Sequence, residues 1–422
     1  MQQKHSDWSV VCHSDFGGRG TVAVVEPAGE GFRVTRLQEA AASGEPPERR
    51  PVFFGVDSEH RAIVMNAVDK TVRHADAVPA DVFPAYAYRD DAHGRIWFMN
   101  DGDKETGNDT LNCGDQGASV TIVERASARV LKTLCVGRGH HVTLFWQAAE
   151  GQHCQPAKKA FVSNLLDGSI CVVGNDADDP ETFLQIIDVI NLAEAEREDG
   201  RADALPNNAF PHGMVYSAVS GKLYNLNNGY GTIAVIDPVS HAIERRLPLK
   251  GCSNLLDSPD GRFLIGKGAD RKSDPEHVMG KLVVIDAVSG EQLQSLSLPD
   301  YYPSVYRFSP DGRRLYLTSA STGKGAQRDN LHKTVVQVYD TSRLPQINLL
   351  ETLDVGLADC GRRPIAFARR GASLSYVFIP NPSDGTLSIF DSAHKHLATV
   401  EISDPGSKEV LFSFWGEGVT GA

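Results

Sequence analysis

"GTIAVIDPVSHAIERRLPL", residues 231–249, decides the fold because the chain repeats it. Residues 280–298, "GKLVVIDAVSGEQLQSLSL", have the same order: a short strand of alternating apolar residues, an Asp-x-x-Ser turn and a second alternating strand. Six looser copies lie at residues 20–38, 61–78, 118–136, 168–187, 334–355 and 385–402. Recurrence of one unit along a whole chain indicates a repeat architecture.

A second type of hairpin precedes most of these copies. It is clearest in "SNLLDSPDGRFLIGKG" (253–268) and "SVYRFSPDGRRLYLTS" (304–319). In the Ser-Pro-Asp-Gly turn, Pro presets the first turn angle, Asp accepts from its own backbone, and Gly adopts the positive φ that closes a hairpin. The full repeat is therefore four antiparallel strands in roughly 45 to 60 residues, which is a blade of a β-propeller.

The repeats predict an all-β chain that forms a single β-propeller domain over residues 1–422. Residues 51–78 are too few for four strands and predict a three-stranded blade, which favours eight blades, with seven as the alternative. "KEVLFSFWGE" (408–417) has the pattern of an innermost strand without partners, and residues 7–26 supply two further strands. Pairing these segments in one blade would close the ring and leave no exposed sheet edge.

Composition limits the partners. The chain is 41% hydrophobic and 23% charged, as in a soluble globular protein, and no apolar run reaches the roughly 18 residues of a membrane span. A formal charge of -12 disfavours nucleic acid and anionic membrane surfaces. We therefore expect a small-molecule ligand or substrate, with neither nucleic acid nor membrane as a partner.

The seven cysteines are far apart and odd in number, so we expect no disulfide framework. The N-terminal "MQQKHSDWSVV" lacks the basic patch and apolar stretch of a secretory signal. These features predict a cytoplasmic protein, or a periplasmic one if a signal peptide has been removed.

The chain resembles the YVTN-type β-propellers, the superfamily that includes the haem-binding propeller of dissimilatory nitrite reductase. The likeness covers nearly the whole chain and is carried by "SPDGRFLIGKG", "SPDGRRLYLTS", "GTIAVIDP" and "GKLVVIDA". It implies the fold but not one function, because these motifs form the blades. Relatives include cofactor proteins, metal proteins and binding modules, and many are exported, whereas this sequence shows no signal peptide.

The propeller geometry sorts the histidines onto two faces. Loops from the second to the third strand of a blade, and loops from the fourth strand to the next blade, open on one face, here called the first face. Four histidines, His93, His241, His394 and His396, fall on the opposite face. The first face carries the longest loops, His13, three cysteines (Cys113, Cys252, Cys360), and the predicted metal ligands His140, His141, His212, His277 and His332.

Residues that begin innermost strands line the mouth of the central channel, where such rings usually bind ligands. Neutral imidazoles at this mouth would suit copper, zinc or iron. His141 and His212 are the best candidates because both enter an innermost strand at what looks like the same place. Adjacent strand residues face opposite ways, so His140 and His141 could instead be polar residues at the lip of a strand. His277 and His332 are outer candidates, and charged loops equally predict solvated side chains there.

Aromatic and basic residues on the same face predict contacts to an organic cofactor or ligand. Tyr230 in "NNGYGT" is predicted to overhang the channel, and Tyr301 and Tyr302 in "YYP" could stack on a flat molecule. Arg362 and Arg363 could pair with the carboxylates of that molecule or with carboxylates of the blades. The sequence leaves both alternatives open.

No CxxCH motif, dinucleotide fingerprint or Gly-x-Ser-x-Gly motif is present, so we expect no covalent haem, no NAD and no ordinary esterase. The leading hypothesis is a metal- or metal-cofactor-binding propeller and, if it is an enzyme, a metal-dependent oxidoreductase. A first alternative is a propeller lactonase or hydrolase with calcium or zinc. It would use the asparagines of the channel mouth, namely Asn207, Asn208, Asn227 and Asn228. A second alternative is a non-catalytic scaffold that binds a protein partner on the loop-rich face.

Overall fold

The structure, a computed structural model, describes residues 8–14, 21–29, 31–38, 51–56, 62–66, 72–75, 81–82, 87–100, 119–139, 141–146, 158–321, 325–359, 363–370, 373–406, 410–416 and 419–421. Almost all elements in these residues are strands, and they form eight antiparallel sheets that follow one another along the chain. We number the sheets as blades 1 to 8.

Blade 1 contains β1 (Trp8–Ser14), β2 (Thr21–Ala28) and β3 (Gly31–Gln38). Blade 2 contains β4 (Pro51–Val56), β5 (Ala62–Asn66) and β6 (Val72–Ala75), and β7 (Asp81–Val82) follows it. Blade 3 contains β8 (Ala87–Asp90), β9 (Arg95–Asn100), β10 (Ser119–Glu124) and β11 (Arg129–Leu134). Blade 4 contains β12 (His141–Trp146), β13 (Lys159–Asn164), β14 (Ser169–Gly174) and β15 (Ile186–Asn191).

Blade 5 contains β16 (Pro211–Ser217), β17 (Lys222–Asn227), β18 (Thr232–Ile236) and β19 (Ile243–Pro248). Blade 6 contains β20 (Asn254–Asp257), β21 (Phe263–Asp270), β22 (Met279–Asp286) and β23 (Gln292–Pro299). Blade 7 contains β24 (Pro303–Phe308), β25 (Arg314–Ser319), β26 (Val335–Arg343) and β27 (Gln346–Asp354). Blade 8 contains β28 (Ala366–Arg370), β29 (Ser373–Asn381), β30 (Thr386–Asp391) and β31 (His396–Glu401), and β32 (Val410–Gly416) and β33 (Val419–Gly421) end the chain.

The ring closes as the sequence predicts. β32 pairs antiparallel with β1, from Trp8 opposite Gly416 to Ser14 opposite Val410, so both chain ends lie in blade 1, and the short β7 pairs with the other edge of β32. Blade 2 has three strands among the described residues, and β4 contacts both β7 and β8. The prediction of eight blades, one of them three-stranded and one closed by both chain ends, is confirmed.

Burial follows position within a blade. The middle strand β14 is buried throughout because both of its faces pack against neighbouring blades, whereas the outer strand β15 is mostly exposed. Apolar clusters therefore lie between blades. One of them joins Trp146 and Phe161 of blade 4 to Met214 and Leu223 of blade 5.

The repeated turns form by the predicted contacts. In Ser-Pro-Asp-Gly of blade 6, the Ser258 hydroxyl donates to Asp260 at 2.6 Å, and Gly261 has a φ of +69°. In the Asp-x-x-Ser turn of blade 5, Asp237 Oδ1 accepts from the backbone N–H of Val239 at 3.0 Å and of Ser240 at 2.8 Å. Each turn is held by its own residues, which explains why the repeat is visible in the sequence.

Among the described residues, three short helices interrupt the strands. The 3-10 turns Asp91–His93 and Ala195–Arg197 lie between β8 and β9 and between β15 and β16, and α1 (Ala326–Asn330) lies in the loop between β25 and β26. From α1, the side-chain amide of Gln327 donates to Asp274 O at 2.5 Å in the corresponding loop of blade 6. This contact shows that the loops assigned to the first face meet there.

Candidate functional site

The loop that leads to His140 and His141 is fixed by blade 4. Asp167, which has no exposed side-chain surface, accepts from the backbone N–H of Arg138 at 2.5 Å and from its Nε at 2.8 Å. Arg138 O in turn accepts from the Leu166 N–H at 3.0 Å. Gly137 approaches so closely that a Cβ there would lie 2.8 Å from Asn164 Cγ. His141 begins β12, and His140 and the ring of His141 lie outside the described residues.

His212 lies in a β-bulge at the start of the innermost strand of blade 5. The pairing of β16 with β17 shifts between Pro211 and Met214, and Gly213 has a φ of +133°. A bulge adds one residue and redirects a side chain. The half-buried imidazole turns towards blade 6, where Nδ1 lies 2.7 Å from Ser253 O. A carbonyl only accepts, so Nδ1 carries the proton in this contact.

The strand register contradicts the expectation that His141 and His212 occupy the same place in their blades. His141 pairs with Asn164, the last residue of β13, while in blade 5 Pro211 pairs with Asn227, the last residue of β17. His141 therefore corresponds to Pro211, and His212 lies one residue further along. The two histidines are not at the same place in their blades, because the bulge shifts the sequence relative to the register.

His277 and His332 come together on another part of the first face, at Asp300. The ring of His277 is hydrogen-bonded to the Asp300 carboxylate, with Nδ1 2.9 Å from Oδ1, and this contact raises the pKa of His277. The backbone N–H of His332 donates to Asp300 O at 2.9 Å. Both histidines are exposed. These contacts favour the interpretation as solvated loop residues.

No group of three or more His, Cys, Asp and Glu side chains in the described parts of the chain has the arrangement of a metal site. The predicted histidine cluster is therefore not formed by His212, His277 and His332 alone. His13, Cys113, Cys360, His140 and the ring of His141 lie outside what the structure describes at side-chain level. The metal site stays a prediction.

The predicted aromatic contacts need a correction. Tyr301 is fully buried and donates to Leu317 O at 2.5 Å, so no ring surface remains for stacking. Tyr230 is 6% exposed, and its hydroxyl donates to Glu198 at 2.6 Å beneath the loop between blades 4 and 5. Burial raises the pKa of both hydroxyls. Only Tyr302 presents a half-buried ring, with the Arg271 guanidinium 5.3 Å from its centroid.

Arg363 is buried, and one nitrogen of its guanidinium binds backbone carbonyls. It is 1% exposed and donates through Nη2 to the backbone carbonyls of Lys333 at 2.9 Å and Gly356 at 2.6 Å. These contacts join two first-face loops, and their acceptors are carbonyls instead of carboxylates. Arg362 lies outside the described residues.

Of the asparagines of the lactonase alternative, Asn207 and Asn227 are buried, whereas Asn208 and Asn228 are exposed. Asn207 donates to Gly168 O at 2.9 Å, and Asn208 donates through its backbone N–H to Glu198 at 2.7 Å. Asn227 is fully buried, whereas Asn228 is exposed and donates through its N–H to Phe210 O at 3.2 Å. Most of this set holds the loop between blades 4 and 5 in place.

Cysteine chemistry differs from the expectation at one position. Cys12, Cys171 and Cys252 are free and buried, and burial raises the pKa of the Cys252 thiol to about 11. Cys135, which is exposed and precedes the loop of His140 and His141, is disulfide-bonded. The sequence predicted no disulfide framework, and the one disulfide-bonded cysteine among the described residues, Cys135, was not singled out by its spacing.

Two residues of this face were not found from the sequence. Asp167 is the fourth residue of "NLLDG", and Asp384 has the same place in "NPSDG", where its Oδ2 accepts from the Leu357 N–H at 2.6 Å. The repeated Asn-x-x-Asp-Gly spacing could have identified both as acceptors for the preceding inter-blade loop. In each case the acceptor fixes a Val-Gly-x segment at the channel mouth.

No known protein-family profile matches the chain, and no curated protein matches it in sequence. Solved structures match it throughout its length. The dihydro-heme d1 dehydrogenase NirN superposes with a TM-score of 0.57 at 11% identity over 95% of this chain and 74% of that chain. AztD from Citrobacter koseri superposes with a TM-score of 0.56 at 11% identity, over 97% and 98% of the two chains. The periplasmic gluconolactonase PpgL of Pseudomonas aeruginosa gives 0.52 at 15% identity, over 96% and 99%.

These similarities establish the propeller fold, including its likeness to the propeller of NirN. The neighbours comprise a haem-related dehydrogenase and a lactonase, so the fold itself does not select a function. In the described part of the chain, no helix is long and apolar enough to cross a membrane.

Proposed function

We propose that the protein binds a transition-metal ion, or a cofactor that contains one, at the first-face mouth of the channel through His212 together with His140 or His141. The observation that carries the proposal is the orientation of His212. Its Nδ1 donates to Ser253 O at 2.7 Å. Histidines that bind metals through one ring nitrogen commonly donate the other N–H to a carbonyl or carboxylate, which fixes the tautomer and the ring.

The residue types of the proposed ligand set suit such an ion, and contacts of neighbouring residues hold the segments that carry them. Imidazole nitrogens suit copper, zinc and iron. Asp167 fixes the loop before His140 and His141, and the bulge at Gly213 fixes His212, so both ends of the proposed ligand set rest on well-ordered contacts. When bound, the metal would supply Lewis-acid or electron-transfer chemistry. His277 and His332 remain outer candidates, since the ring of His277 and the backbone N–H of His332 already contact Asp300.

Oxidation or reduction of a small molecule beside this ion is the activity we infer. The chain would contribute a mouth built on packed blades, since apolar clusters join blade 4 to blade 5 and blade 5 to blade 6. We further infer that the protein works outside the cytoplasm. The disulfide at Cys135 supports this inference, because disulfides persist mainly in oxidising compartments.

Elemental analysis of the purified, untagged protein tests the metal, together with an absorption spectrum of the same sample. We expect about one equivalent of copper, zinc or iron, and loss of that metal in the double variant His141→Ala/His212→Ala. His396→Ala is the matched control, because His396 lies on the opposite face and contacts Thr399. A metal-free, colourless protein that also fails to take up added copper, zinc or iron would refute the proposal.

A further inference from the structure

On the opposite face, His93 is held against a buried carboxylate. Its Nδ1 lies 2.8 Å from each oxygen of Asp90, and the Asp90 side chain is only 3% exposed. A carboxylate only accepts, so Nδ1 carries the proton in this contact. In the neutral imidazole the lone pair is therefore on Nε2. A ring whose tautomer is fixed in this way can act as a base or as a nucleophile through Nε2.

The carboxylate is itself held in place by two neighbouring side chains. Asn175 of blade 4 donates through Nδ2 to Asp90 Oδ2 at 2.9 Å, and its Oδ1 accepts from Arg95 Nη1 at 2.8 Å. Arg95 Nη1 also lies 4.0 Å from Asp90 Oδ2, and the guanidinium is 4.7 Å from the centroid of the Phe183 ring. Asp90, Arg95 and Asn175 are all buried. The orientation of the His93 ring is therefore set by contacts from two blades.

The second ring nitrogen distinguishes His93 from the other carboxylate-bound histidines of this face. Nε2 of His241 lies 2.8 Å from the Lys159 ammonium, and Nε2 of His394 accepts from the Tyr316 hydroxyl at 2.6 Å. Among the described residues, Nε2 of His93 has no hydrogen-bond partner, and it is not one of the enclosed side-chain nitrogens that lack a partner. It therefore reaches solvent, and its lone pair is available.

The surroundings of His93 favour an uncharged molecule. An added Cβ at the neighbouring Gly94 would meet no atom of the described residues within 4 Å, so the space beside the backbone is open. The Asp176 carboxylate pairs with the Lys158 ammonium at 3.3 Å. The Asp178 N–H chiefly lowers the pKa of Asp176, Lys158 adds to this, and His93 contributes least, so Asp176 is within electrostatic range of the ring. A carboxylate there repels anions, and the nearby cation is already paired.

We propose that the Asp90–His93 pair is an acyl-transfer site that hydrolyses small uncharged esters. Nε2 forms a bond to the carbonyl carbon, and the bond from that carbon to the leaving oxygen breaks, which gives an acyl-imidazole. Asp90 stabilises the positive charge that develops on the ring. Water then attacks the acyl carbon and restores Nε2. One ester and one water thus give one carboxylic acid and one alcohol.

This site lies on the face opposite to the proposed metal ligands and uses no metal, so it goes beyond the proposed function. The first test is hydrolysis of 4-nitrophenyl acetate by the full-length protein in the presence of a chelator. We expect His93→Gln to lower the rate at least about fivefold. Asp90→Asn should lower it at least about threefold, because an amide stabilises the developing positive charge less than a carboxylate does.

His396→Gln is the matched control. His396 is exposed on the same face, has no carboxylate partner among the described residues, and contacts Thr399 through Nε2 at 2.8 Å. Its replacement should leave the rate of hydrolysis unchanged. The melting temperature of each variant shows whether it is folded, and His93→Gln retains a side-chain donor for Asp90. An unchanged rate in folded His93→Gln would overturn the proposal.

The second test locates the reactive nitrogen. Acid quenching during turnover, followed by peptide mass spectrometry, should find the acetyl group on His93. With substoichiometric diethyl pyrocarbonate, His93 should be modified at least about fivefold faster than His396, although its side chain is only 11% exposed. Faster modification of His396 would show that reactivity follows exposure, and the proposal would then be wrong. Metal content, measured in parallel, reports separately on the first-face site.

Discussion

On the opposite face, His241 and His394 have both ring nitrogens engaged by side chains of the preceding blade. Nδ1 of His241 lies 2.6 Å from Asp188 and Nε2 lies 2.8 Å from the Lys159 ammonium. His394 contacts Glu351 through Nδ1, and its Nε2 accepts from the Tyr316 hydroxyl at 2.6 Å. On the first face, Nδ1 of His212 meets a backbone carbonyl instead. All three histidines therefore contact a neighbouring blade, but the opposite-face pair does so with side chains on both ring nitrogens, whereas the contact of His212 is to a backbone carbonyl.

This difference teaches that histidine content alone is a poor guide to a metal site in a propeller. A histidine that contacts a carboxylate and a donor of the preceding blade recurs at two blade interfaces, and His93 adds a third imidazole bound to Asp90 at 2.8 Å. A neutral imidazole both donates and accepts, so it can connect two groups that would otherwise be left without partners between blades. The face on which a histidine lies, together with the chemistry of its partners, separates the two uses.

The largest effect that we predict is for His394→Ala. His394 is 7% exposed, and its replacement by alanine would leave the buried Tyr316 hydroxyl without its acceptor. The residue at position 394 would still have a φ of +64°, without the side-chain contacts that hold it there. We expect the free energy of unfolding to fall by about 3 kcal/mol. Guanidinium denaturation measures this value. His396→Ala, on the same face but exposed, should stay within about 0.5 kcal/mol. A loss below about 1 kcal/mol for His394→Ala would show that the opposite-face contacts do not stabilise the ring.

The next effect concerns the first face. Asp167→Ala removes a buried carboxylate that accepts two hydrogen bonds from Arg138. We expect a loss of about 2 kcal/mol in stability, because hydrogen bonds to charged groups contribute roughly 1.5 to 3 kcal/mol each in favourable cases. If the loop orients His140 and His141, metal content should fall in the same variant. Denaturation and elemental analysis on one preparation measure both quantities.

Asp384→Ala is the control for this prediction, since Asp384 has the same place in its repeat and accepts from the Leu357 N–H between blades 7 and 8, although Asp384 itself is exposed. It should lower stability and leave metal content unchanged. Equal metal loss in the two variants would mean that the loss reflects general destabilisation and not the position of His140 and His141.

The fold could be predicted from the sequence because each turn is held by its own residues. Asp237, Ser258 and Asp260 make contacts within a few residues of themselves, so the pattern that predicts the turn also contains its cause. The pairing of the two chain ends in blade 1 was also predictable, since each end had the pattern of strands without partners. Repetition favoured eight blades and left seven as the alternative, and the eight sheets of the described residues agree with the favoured number.

The site could be predicted only in part because its contacts cross between blades. The face of each histidine follows from strand order, but the bulge that shifts His212 relative to His141 has no clear sequence signal beyond Gly213. Burial of Tyr301 and Tyr230 depends on which loop covers them, and the spacing of "YYP" or "NNGYGT" does not specify that. Arg363 was assigned to carboxylates, whereas backbone carbonyls of two neighbouring loops accept its protons.

The smallest predicted effect concerns how the stability of the first face changes at low pH. On the first face, Arg328 binds Asp359 through two contacts of 2.9 and 3.2 Å and lowers the pKa of Asp359 to about 2. A carboxylate with a lowered pKa stabilises the folded state above its unfolded pKa of about 3.9, and this contribution is lost as the pH falls towards 2. Because the pair is partly exposed, we expect Asp359→Asn to cost about 1 kcal/mol at pH 7.

About half of that difference should disappear at pH 3, midway between the two pKa values, and unfolding curves of both proteins from pH 7 to pH 3 measure it. If the cost of Asp359→Asn stayed constant with pH, the Arg328 pair would not be the source of the stability of this loop. First-face stability would then depend, like that of the opposite face, on buried contacts between blades.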